Sequence, residues 1–262
     1  MLKKRLIPKL QMRAASIGKV KRMVLVATVG FGPSTEIGDP VSQAKIYQAQ
    51  AADELVFLDL DASIEHRDAL TDIIAKAAEE IFMPITVGGG VRSVEDCRRL
   101  LNHGADKVSI NTGAVEIPGL INQGSDMFGA QCIVVSIDYK KHPNGAYEVF
   151  TRGGKTATGL DPVAWAVEAQ RRGAGEILLT SIDRDGTRKG LDLELTAKVA
   201  GAVDIPVITS GGCGLASHFV DGFLVGKAHA VSAGTYFCFK DENPMQTRSR
   251  ISNAGIPIRL HT

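Results

Sequence analysis

The stretches MPITVGGG, residues 83–90, and IPVITSGG, residues 205–212, are one piece of chain written twice. Pro84 and Pro206, Gly89 and Gly211, and Gly90 and Gly212 keep a constant separation of 122 residues. The same offset carries Glu54-Leu55-Val56-Phe57-Leu58-Asp59 onto Glu176-Ile177-Leu178-Leu179-Thr180-Ser181, and Asp61 onto Asp183. GADKVSIN (104–111) and GKAHAVSA (226–233) repeat more weakly. A repeat at half the chain length points to a doubled scaffold, with halves of about 1–125 and 126–262 in one domain over 1–262.

Each repeated piece is a short β-branched run that ends on glycine or a small polar residue. Eight such runs occur: RLIPKL (5–10), ELVFLDL (54–60), ITVGG (85–89), KVSIN (107–111), CIVVSID (132–138), EILLTSI (176–182), VITSGG (207–212) and AVSAG (230–234). Between them lie amphipathic stretches such as PVSQAKIYQAQAA (40–52), DALTDIIAKAAEE (68–80), VEDCRRLLNHG (94–104), DPVAWAVEAQRRG (161–173) and ELTAKVAGAV (194–203). The alternation predicts a parallel α/β fold. Count and length fit a closed (β/α)8 TIM barrel made of two half-barrels, with an open doubly wound sheet as the competing arrangement.

With 262 residues, 44% hydrophobic and 23% charged, the chain has the composition of an ordinary soluble protein. Thirty basic and 29 acidic residues leave a net charge of +1, so no global field argues for nucleic acid or a membrane surface. MVLVATVGF (23–31) is too short to span a bilayer and lacks a cleavage pattern, and it reads as strand or long loop. Cys97, Cys132, Cys213 and Cys238 form no CxxC pair, which suits reduced thiols in a cytoplasmic protein. The six histidines show no metal-ligand spacing, and neither GxGxxG nor GxxxxGK[ST] occurs, so no metal or cofactor is implied.

In a barrel, chemistry belongs at the carboxyl ends of the strands. There the first half offers Gly88-Gly89-Gly90 with Ser109 and Asn111, and the second offers Ser210-Gly211-Gly212 with Gly234 and Thr235. Glycines let backbone N–H groups approach an anion closely. Two such cradles at symmetry-related positions predict a ligand with a phosphate at each end. Asp138 ends strand five and faces the mouth. Asp183 and Asp185 lie in DRDGTRKG (183–190), where Gly186 and Thr187 are placed to orient a substrate and an Asx-turn is the plainer alternative. Asp59 reads as a structural acid inside the barrel, Trp165 as packing, and nothing marks Cys213 as a nucleophile.

ADELVFLDLDAS, ITVGGGVRSVED, GADKVSINTGAVE, VVSIDYK, TGLDPVAWA, GAGEILLTSIDRDGTRKGLDLEL and IPVITSGG closely resemble HisF, the cyclase subunit of imidazole glycerol phosphate synthase, over most of residues 1–240. The resemblance implies a barrel lyase docked as a heterodimer to a HisH-type glutaminase, with ammonia passing through the barrel to a bis-phosphorylated ribulosyl substrate. Four charged residues close the floor in that family, and the matching positions here are Arg5, Glu54, Lys107 and Glu176. Asp106 matches a contact to the glutaminase, and Lys19 matches a lysine of a mobile loop.

One departure stands out. The family uses two aspartates across the mouth; strand five keeps Asp138, but strand one offers Gln11, and two residues before it stands Lys9. A glutamine amide hydrogen-bonds but exchanges no proton near neutral pH. The loop RMVLVATVGFGPSTEIGDP (22–40) is also reworded, and DENPMQTRSRISNAGIPIRLHT (241–262) lacks the plain amphipathic final helix of the family. Three readings stay open: a working histidine-pathway cyclase, a paralogue delivering ammonia to a sugar amidotransferase of surface-polysaccharide synthesis, and a catalytically silent scaffold. Gln11 favours the second, while the intact charged ring and both cradles speak against the third.

Overall fold

The computed structural model describes residues 3–17, 20–65, 71–239 and 242–259. Eight parallel strands close on one another: β1 (Arg5–Ile17), β2 (Leu55–Asp59), β3 (Ile85–Gly88), β4 (Lys107–Ile110), β5 (Ile133–Lys141), β6 (Glu176–Ser181), β7 (Val207–Ser210) and β8 (Ala230–Ala233). Neighbours in sequence pair in space, β5 joins β6, and β8 returns to β1. The molecule is thus the closed TIM barrel of the sequence reading, and the open sheet is excluded.

Side chains alternate along each strand, so the inward column of β1 is Arg5, Ile7, Lys9 and Gln11. These residues mark three storeys. Charged groups lie at the floor. Above them Ile7, Val56, Val134, Leu178, Ile208 and Ala230 pack into an inner apolar layer. Polar side chains fill the mouth. Outward-facing residues join a larger apolar layer between the strands and the helices, which include α1 (Pro40–Ala49), α2 (Thr71–Glu80), α3 (Val94–Asn102), α4 (Gly119–Phe128), α5 (Pro162–Arg171), α6 (Leu193–Ala202), α7 (Ala216–Leu224) and α8 (Pro244–Asn253).

The glycine pairs exist for steric reasons that the repeat preserves at atomic level. Gly89 has φ +110°, and a Cβ there would stand 2.5 Å from the carbonyl oxygen of Asp59, the last residue of β2. Gly211 has φ +92°, and its Cβ would stand 2.5 Å from the carbonyl oxygen of Ser181, the last residue of β6. Only glycine fits both the left-handed backbone and that approach.

One expectation needs correction and others gain detail. Strand one does not stop at residue 10: β1 runs on to Ile17, while residues 23–28 of MVLVATVGF, expected as strand or long loop, lie in a strand, Val20–Thr28, that returns antiparallel along it with Gln11 opposite Val26. Ser34–Gly38 completes this sheet extension. A matching hairpin leaves β5, with Asp138 opposite Phe150. The tail, expected to lack a plain amphipathic final helix, holds a weakly amphipathic one. Asn243 and Gln246 form a reciprocal capping box, Pro244 opens the helix, and α8 follows. Its buried Arg248 reaches Asp53 at 3.0 Å and the Ala51 carbonyl at 2.5 Å. Weak amphipathicity hid this helix because its anchor is an arginine, not an apolar stripe. Helices α4 and α7 carry glycines that interrupt a helical pattern and are not among the amphipathic stretches named above.

Candidate functional site

The floor is a closed electrostatic cycle. Arg5 sits at the start of β1, Glu54 just before β2, Lys107 at the start of β4 and Glu176 at the start of β6. The Arg5 guanidinium donates to Glu54 Oε1 at 2.8 Å and also to Glu176 Oε1. Lys107 Nζ donates to the other oxygen of each glutamate, at 3.0 Å both times. Two cations and two carboxylates thus compensate one another completely, which low-exposure charges require. Burial by itself would lower the Arg5 pKa, but Glu176 and Glu54 outweigh it and raise it. Burial pushes Glu54 upward, yet Arg5 and Lys107 prevail and hold it below the ordinary glutamate range. Asp106, beside the ring, accepts the Ile85 N–H at 2.8 Å.

At the other end the mouth opens into a cleft of about 850 Å³ lined by Gln11, Gly89, Ser109, Asn111 and Asp138. A smaller pocket of about 230 Å³ is lined by Asp185, Gly186, Ser210, Gly211, Gly212, Gly234 and Thr235. The residues singled out in the two halves of the sequence therefore converge on one end of the barrel, opposite the charged floor. Gly90 lines neither space. Lys19 lies outside the described residues. Asn111 has both amide hydrogens committed, to the carbonyls of Ser136 and Phe150 at 3.2 Å each, so it staples β4 to β5 and the second hairpin.

Asp138 opens on the cleft and accepts from Ser136 Oγ at 3.3 Å. Burial pushes its carboxyl up to about 7, against the opposing pull of Lys9 and the Ser136 hydroxyl and with a small upward push from Asp185. Near neutral pH it can therefore either hold or accept a proton. Gln11 is 2% exposed, and its Oε1 lies 3.4 Å from Thr28 Oγ1. Thr28 gives its single hydroxyl proton to Asp185 Oδ2 at 2.9 Å, which ties the first hairpin to the loop after β6. Asp59 is spoken for locally, accepting the N–H groups of Asp61 and Ala62 at 3.1 Å. Burial holds the Cys213 thiol far above the reactive range.

Sequence reasoning gave no role to Lys9, Thr28, Phe31, Arg13 or Lys155, although all but Thr28 line the cleft. For Lys9 a signal existed, since two residues' spacing from Gln11 puts both on one face of a strand. Thr28 and Phe31 arrive on a hairpin whose return path no local pattern announces. Among the described residues no group of three or more His, Cys, Asp or Glu side chains could hold a metal ion, and no helix is long and apolar enough to cross a membrane.

Comparison with known proteins agrees with this architecture. A family model described as "Histidine biosynthesis protein" matches residues 7–242. A putative imidazole glycerol phosphate synthase subunit hisF2 of Prochlorococcus marinus (strain MIT 9313) is 50% identical over 260 residues, covering 99% of both chains. With its eight-stranded barrel, its doubled glycine cradles and a relative similar from end to end, the chain belongs to the HisF family of histidine biosynthesis proteins.

Proposed function

We propose that this chain is the ammonia-conducting subunit of a glutamine amidotransferase complex. A HisH-type glutaminase docks on the floor around Asp106. Ammonia enters through the ring of Arg5, Glu54, Lys107 and Glu176, and a phosphorylated acceptor waits at the mouth, held by the glycine pairs of β3 and β7. The observation that carries this reading is the vertical order of the barrel: a fully compensated charged cycle, an apolar layer above it, and a polar mouth with two glycine-lined spaces. Inside the bore the Ser109 and Ser232 hydroxyls have no hydrogen-bond partner among the described residues, which suits the passage of a small polar molecule.

Gln11 favours a paralogue that supports nucleotide-sugar amidation in polysaccharide synthesis, working in the cytoplasm with a sugar amidotransferase, over an imidazole-forming cyclase. A pair of mouth carboxylates would divide proton donation and acceptance, and here only Asp138 of that pair is ionisable. The cyclase reading has support of its own in the printed name of the Prochlorococcus relative and in the pKa of Asp138. Assaying the purified chain with ammonium salt at alkaline pH and the bis-phosphorylated ribulosyl substrate separates the two. Absence of turnover is expected; multiple turnovers to imidazole glycerol phosphate would overturn the sugar reading and establish the cyclase.

A further inference from the structure

Lys9 has no place in the reading above, yet it occupies the centre of the mouth. It is 3% exposed and lines both the large cleft and the small pocket, so it forms part of the wall between them. Any ligand running from the glycines of β3 to those of β7 passes its ammonium. That group carries three N–H bonds. Two go to Asp185 Oδ1 at 3.3 Å and Ser210 Oγ at 3.1 Å, and the third has no partner among the described residues. The doubled scaffold shows how unusual this is. Gln11 and Asp138 each stand where a hairpin begins to pair with its strand, so Lys9 on β1 corresponds to Ser136 on β5. One side of the mouth therefore presents ammonium and amide, the other hydroxyl and carboxyl.

We propose that Lys9 is a ligand-binding, specificity-determining residue that donates its third N–H to a carbonyl or hydroxyl oxygen carried between the acceptor's phosphate groups. A neutral oxygen suits the position better than a phosphate does. Asp185 and Asp138 flank the ammonium, and a dianion set among them would be repelled, whereas a neutral oxygen takes the hydrogen bond without adding charge. The phosphates belong instead to the glycine N–H groups at either end. The proposal rests on the phosphorylated-acceptor reading.

The test is calorimetric titration with two probes: ribulose 1,5-bisphosphate, and pentane-1,5-diol bisphosphate, which has the same phosphates and no oxygen between them. The intact protein is expected to prefer the oxygenated probe by about tenfold or more, the worth of one charged hydrogen bond. Lys9→Met should reduce that preference to about threefold or less by weakening the oxygenated probe alone, and Lys9→Arg should retain part of it. Because Lys9→Met leaves Asp185 buried without its cation, Lys9→Met/Asp185→Asn is measured against Asp185→Asn, where the same collapse is expected. A preference that survives both Lys9 substitutions, equal weakening of both probes, or no preference in the intact protein would overturn the assignment. If neither probe binds the intact protein, the phosphorylated-acceptor reading fails first and takes the assignment with it.

Discussion

Lys9 Nζ lies 3.3 Å from Asp185 Oδ1, and both side chains are almost completely buried. A buried pair of this kind contributes little net stability when intact but is costly to break, because the remaining charge has no water to turn to. Lys9→Met is therefore expected to lose about 3 kcal/mol in urea denaturation. Adding Asp185→Asn should restore at least about half of that loss. Additive losses in this double-mutant cycle would show that the two groups do not interact.

Asp138 makes stability depend on pH in a defined direction. Its native pKa of about 7 lies above the ordinary value of 3.8, so the folded state holds a proton that the unfolded chain releases. The stabilisation is complete below the unfolded pKa and is lost as pH rises from about 4 to about 7. Asp138→Asn should match the native protein near pH 4 and exceed it at pH 8 by on the order of 2 kcal/mol, a figure halved for hydration from the open cleft. Parallel thermal-melt profiles across that range would refute the assignment.

Lys107→Ala removes one corner of the floor cycle and leaves Glu54 and Glu176 sharing Arg5 alone. Because Lys107 retains partial exposure, a loss of about 2 kcal/mol in chemical denaturation is expected, less than for a fully buried pair. With the glutaminase bound, glutamine hydrolysis should continue while transfer to the acceptor falls. Unchanged coupling between the two would argue against ammonia entry at this ring.

Gly89→Ala and Gly211→Ala should behave alike. Each would press a Cβ against a strand-end carbonyl in a backbone region that disfavours side chains, and each is expected to destabilise by on the order of 3 kcal/mol. A large effect at one position and none at the other, read from melting curves, would mean the cradles are not structural equivalents.

The tail offers a sharper contrast. Arg248→Ala takes the cation from the buried Asp53 carboxylate, which keeps the Leu6 N–H, and should destabilise the barrel by about 3 kcal/mol, whereas Asn243→Ala removes a helix cap worth about 1 kcal/mol. Equal effects in urea titrations would show that α8 docks through something other than Arg248.

What the sequence decided by itself was the scaffold. A 122-residue offset, strands ending in glycine and charges at strand starts carry that information because strand periodicity, glycine sterics and charge compensation act over a few residues of chain. From those came the barrel and the two glycine-rich strand ends, whereas the four members of the floor ring came from the resemblance to HisF. Only the tertiary structure decided which side chains meet in the mouth. Lys9 meets Asp185 across 176 residues, Thr28 reaches the same carboxylate from a hairpin with no local signature, and Arg248 finds Asp53 from a tail with no plain amphipathic pattern. Such contacts depend on where closure of the barrel brings distant segments together, and on burial, which leaves Lys9 and Asp185 to compensate each other away from water and raises the pKa of Asp138.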